Sequence, residues 1–132
     1  MSFKDEVNDA IVHVVSLRQL IQSSRPRRPG EKFDEEKELK RAETIADAKK
    51  KLEDLPVEKV ENITTLAQQS TPIEIDEIVH KLERLEFLLE DMSKGKDKRS
   101  NLSFLLESFR VNTITYSILS SIKSLQKIIS GT

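Results

Sequence analysis

The side chains best equipped for acid–base chemistry are the two histidines, His13 and His80. Each falls at the flank of an apolar helical seam, and the two lie on different helices. His80 has Glu77 and Glu83 three residues away on either side. That spacing makes them surface neighbours on one helix face and offers no second imidazole for a metal. Only one Glu-x-x-His pair occurs, Glu77 and His80, whereas the di-metal carboxylate bundles use two on separate helices, so they find no counterpart here. The three glycines form no phosphate cradle. The Ser and Thr residues near the C-terminal end have no base beside them to activate a hydroxyl. With no cysteine, disulfides, zinc-thiolate sites and thiol nucleophiles are all excluded. The expectation is a protein without catalytic activity, metal or cofactor, and with no small-molecule substrate.

Charge offers a second chemistry. Arg25, Arg27 and Arg28 stand in one connection, and Lys94, Lys96, Lys98 and Arg99 in another. Seven cations could neutralise phosphates, the usual source of nucleic-acid affinity. Against this, no aromatic is interleaved for base stacking. The whole chain is also nearly neutral, with 22 Lys and Arg against 23 Asp and Glu. DNA or RNA binding through residues 25–28 and 94–99 is therefore the alternative reading.

The main reading comes from apolar residues that lack an obvious cover. Projected at about 100° per residue, Leu102 to Ile129 reads as one long helix whose seam changes sides. From Val111 on, Val111, Ile114, Ile118, Ile122, Leu125 and Ile129 share a face, opposite Thr113, Ser117, Ser120 and Ser124. Before Arg110, Leu102, Leu106 and Phe109 lie on the other side, with Leu105 beside them. Such a helix either bends near Arg110 or is buried on different sides at its two ends. The cover for Leu102, Leu105, Leu106 and Phe109 is either the third helix or a partner. The expected occupant is a protein partner or a second copy. Phe87 is a further candidate contact, lying about 120° off the seam of its helix.

The elements that must position these groups are all helical. The first runs from Phe3 to Gln22, with Ser2 and Asp5 as a capping box and Val7, Ala10, Ile11, Val14, Leu17 and Ile21 as its face. Val12 and Leu20 fall off it. The connection 23–33 is broken by Pro26, Pro29 and Gly30. A second helix, from Asp34 to Asp54, has a thin stripe of Leu39, Ala42, Ile45, Ala46 and Leu52 among many Glu and Lys. Pro56 ends it, and a short third helix spans Val57 to Gln69 with Val57, Val60, Ile63 and Ala67 inward. Thr71-Pro72-Ile73-Glu74 starts a fourth, running to Met92 on a heptad seam of Ile75, Ile78, Leu82, Leu85, Leu89 and Met92. The basic connection 93–100 leads into the last helix.

Together these give an all-α antiparallel bundle, four long helices and one short, as one domain over residues 1–132. No stretch reaches the roughly 20 apolar residues that span a bilayer. Acidic residues precede the short apolar run near the N-terminus, unlike a secretory signal. A cytoplasmic protein that does not enter the membrane is expected. If the third helix only closes the bundle, the two basic loops share one end, the expected arrangement and the one that favours nucleic acid. Opposite ends favour a plain scaffold. The expected function is a helical interaction or assembly module, self-associating or a small subunit of a larger complex.

Overall fold

A computed structural model describes residues 2–111, 113–122 and 124–130. The described residues form seven α-helices and no strand: α1 (Phe3–Ser24), α2 (Glu35–Lys51), α3 (Val57–Gln69), α4 (Pro72–Ser93), α5 (Arg99–Glu107), α6 (Thr113–Ser120) and α7 (Ser124–Ser130). A 3₁₀ turn, Ser108–Val111, follows α5.

The long helices start where local chemistry says they should. At α1 the Ser2 hydroxyl accepts from the Asp5 amide at 3.2 Å, and the Asp5 carboxylate accepts from the Ser2 amide at 3.4 Å. Thr71 and Glu74 make the same reciprocal pair at α4, with Pro72 in its first turn. Each closes two amides that a helix start leaves open. At α2 the Asp34 carboxylate accepts from the amides of Glu36 and Lys37. Acids in the first turn of α2 and Lys49, Lys50 and Lys51 in its last turn oppose the helix dipole correctly.

Helices α1 and α4 form the central pair and run antiparallel. Arg28, just past α1, meets Asp76 in the first turns of α4 at 2.7 Å, whereas Arg18 meets Glu86 further along at 3.3 Å. Helix α2 packs antiparallel on α1, tied by Arg27–Glu38 near one end and His13–Asp54 near the other. Its inward stripe differs from expectation. Ala48 and Leu52 are buried, Ile45 is half-buried, and Leu39, Ala42 and Ala46 are exposed. Leu20 is buried in the core rather than lying off the first helix's face, and Val57 is exposed. Helix α3 packs on α1 and on α6, where Lys59 Nζ donates to the Ser120 carbonyl at 3.1 Å.

The expected single helix from Leu102 to Ile129 is instead α5, the 3₁₀ turn, α6 and α7. The bend falls at Arg110, where the seam changes sides. Three causes act together. Thr113, Ile114 and Thr115 are consecutive β-branched residues with poor helix propensity. Hydroxyls compete for backbone carbonyls: Ser108 Oγ donates to Leu105 O, Ser117 Oγ to Thr113 O and Ser121 Oγ to Ser117 O. Lys81 Nζ, from α4, donates to the Ser108 carbonyl at 2.7 Å and stands 5.9 Å from the Phe109 ring centroid. A carbonyl that would lose its helical partner at the turn is thereby satisfied. A second tight turn, where Ile122 N bonds to Leu119 O, separates α6 from α7.

The reversal sends both seams into one core. Leu102, Leu105, Leu106 and Phe109 are buried together with Ile114, Ile118, Ile122 and Leu125. Val111 projects outward. On α7, Ile128 is fully buried and Ile129 only partly.

Candidate protein-docking groove

The residues expected to hold a partner separate into two groups. Leu102, Leu105, Leu106 and Phe109 are at most 5% exposed; α4 and α7 pack on α5, which carries the three leucines, and α6 packs on the 3₁₀ turn that carries Phe109. As a docking patch this set is corrected: the chain turns at Ser108 and covers it with its own later helices. Phe87 is different. It is 65% exposed on α4.

Beside Phe87 stands Phe104, on α5 and 83% exposed. The two rings border an open groove of about 630 Å³ between α4 and α5. From α4 come His80, Glu83, Arg84, Phe87 and Leu88; from α5 come Ser100, Asn101 and Phe104. Hairpin geometry explains the meeting. Gly95, at φ +90°, sits in the connection, a left-handed backbone that glycine adopts without a Cβ penalty. Phe87 lies eight residues before it and Phe104 nine after it. Antiparallel helices bring such equidistant positions side by side. Phe104 was missed because it falls off the seam of a continuous helix; its distance from Gly95, matched to that of Phe87, was the available signal.

The groove has unlike edges. Toward α1, a shallower depression holds Glu83, Glu86 and Glu90 around Phe87, with Arg18. Glu86 is committed to Arg18. Glu83, Glu90 and Arg84 form no ion pair among the described residues.

The basic loops stand at opposite ends of the α1–α4 pair, contrary to the shared end expected. Helix α3 is a full layer, so α4 starts where α1 stops. Most of the loop cations are also neutralised in place. Arg25 pairs with Glu31, Arg27 with Glu38 and Arg28 with Asp76. Lys96 pairs with Asp91 and Arg99 with Asp97. Lys94 and Lys98 have no ion pair among the described residues. Arg27 also lies over the Phe33 ring, 4.8 Å from its centroid. The amide of Arg28 and then the guanidinium of Arg25 hold the Glu31 carboxyl down to about 2. Hydrogen bonds from the Arg99 side chain and then its amide do the same for Asp97, again to about 2.

The histidines go to different places. His13 Nε2 lies 2.9 Å from Asp54 Oδ2, joining α1 to the turn after α2. His80 borders the α4–α5 groove. Among the described residues, no group of three or more His, Asp or Glu is placed to hold a metal, and no helix is long and apolar enough to cross a membrane.

Comparison with protein families, with characterised proteins and with solved structures finds no match for this chain.

Proposed function

We propose that this protein is a non-catalytic helical interaction module that receives a protein partner in the groove between α4 and α5. The observation that carries the reading is the pair Phe87 and Phe104, two large apolar rings exposed on the two arms of a helical hairpin and bordering one groove. Single exposed aromatics are ordinary; two that border one concave apolar surface are the usual form of a contact site. The module serves as a subunit of a larger assembly or pairs with its own kind. The nucleic-acid alternative draws less support, because its cations lie at two ends and mostly face carboxylates of the same chain.

Site-directed photo-crosslinking in living cells tests this. A benzophenone side chain replaces Phe104, or in a control Val57, which is also strongly exposed but lies on α3. A discrete protein adduct from position 104 with none from position 57 is the expected result. Equal adduct yields from both positions, or none from either, overturn the groove as a docking site. Light scattering on the purified protein then separates a doubled mass from a foreign partner.

A further inference from the structure

The edges of the groove carry information about what it holds. Phe87 has Glu83 and Glu90 on its α1 side and Arg84 on its α5 side, all three exposed and without ion pairs among the described residues. Resting on the docking role above, we propose that the occupant is an amphipathic helix with a basic edge. Its apolar stripe lies on Phe87 and Phe104, and its lysines or arginines run along the α1 side, against Glu83 and Glu90.

Three physical points support this occupant. A groove between two antiparallel helices has the shape of a third helix, and it is read by apolar anchors at i, i+3 or i+4, and i+7. The acidic side continues past the groove, because Glu83, which lines the groove, also borders the depression next to Arg18 together with Glu90. A helix lying across Phe87 therefore presents one edge to a run of acids. Arg84, Ser100 and Asn101 meet the other edge with donors, suited to a carboxylate or amide there. Like charges along the α1 side would be excluded, so the acids select orientation as well as partner.

A second copy of this chain fits less well. The exposed α4 face brings Glu83 and Glu90 with it, so antiparallel pairing of α4 on itself sets acidic side against acidic side.

The test uses two fluorescein-labelled helical peptides with one apolar stripe of leucines, differing only in that one edge carries lysine or glutamate. Binding is read by anisotropy, and its location by amide shifts of the isotopically labelled protein. The expected result is saturable binding of the lysine peptide with shifts at Phe87 and Phe104. The double substitution Glu83→Gln and Glu90→Gln should weaken it about three- to tenfold, in the range of two exposed ion pairs. That effect should fade above about 0.5 M salt. Phe104→Asp should weaken both peptides, and unchanged helical circular dichroism verifies that this variant is folded. Equal binding of the two peptides overturns the basic edge and leaves the docking groove standing. No shift at Phe87 or Phe104 with either peptide overturns both. A doubled mass that Phe104→Asp abolishes overturns the partner helix in favour of a second copy.

Discussion

Glu31 shows how a single carboxylate organises a loop. It accepts from the Arg28 amide at 3.0 Å and from the Arg25 guanidinium at 3.1 Å, with Arg41 of α2 at 3.4 Å. Ionised, it joins the end of α1 to the start of α2. Its carboxyl titrates at about 2 in the folded protein, below its ordinary 4.5. A group with a depressed folded value stabilises the native state fully above its unfolded value, and that contribution disappears as pH falls through the folded one. Glu31→Gln should therefore lower the urea midpoint at pH 7, and by less as pH falls. The difference between the two proteins narrows from about pH 4.5 and closes only below about pH 2. A constant gap across that window would show that Glu31 acts by packing instead. Interactions this local were legible in part: the capping box at Ser2 and the helix start at Thr71 stand where the residue pattern put them. The neutralised arginines were not, because Glu31, Glu38 and Asp76 come from the loop and from two different helices.

At the scale of elements, the 3₁₀ turn decides what is core and what is surface. A straight helix would leave Leu102, Leu106 and Phe109 pointing away from Ile114 and Ile118. The reversal brings all five inside. The side change at Arg110 was visible in the periodicity. Its resolution was not, because the group that stabilises the turn, Lys81, lies on α4 and reaches Ser108 across the hairpin. Replacing Lys81 by Met keeps the aliphatic stem and removes the donor. The half-buried Ser108 carbonyl then loses its charged partner, a cost of about 1–3 kcal/mol. Hydrogen exchange should accelerate first at residues 108–118, while α1 and α4 retain their protection. Uniform acceleration throughout the chain would mean that the turn and the central pair unfold as one unit.

For the molecule as a whole, the all-α class followed directly from the 3.6-residue periodicity and the absence of alternating strands. The placement of its ends did not. That depended on whether α3, about 20 Å long at 1.5 Å per residue, merely closes the bundle or crosses it. It crosses, and the two basic loops move apart. The consequence for function is concrete: the hairpin α4–α5, with Gly95 at its bend, becomes the element that presents aromatic rings outward. The same hairpin supplies Leu82, Leu85, Leu89, Leu102 and Leu106 inward. One surface is therefore held in shape by the packing behind it.

The contact between the last helix and the first also has a temporal side. Lys127 of α7 reaches Glu6 of α1 at 3.6 Å, and α7 packs along α1. With seven residues, α7 is too short to persist alone in water. It becomes ordered only on a surface already made by the helices before it. During synthesis, part of α1 stays wet until nearly the whole described chain has left the ribosome, and the closing contact joins residues from its two extremes. Such distant closure slows folding and prolongs the exposure of the α1 surface on which α7 packs. Pulse-labelled hydrogen exchange during refolding should show α4 and α5 protected first and α7 last.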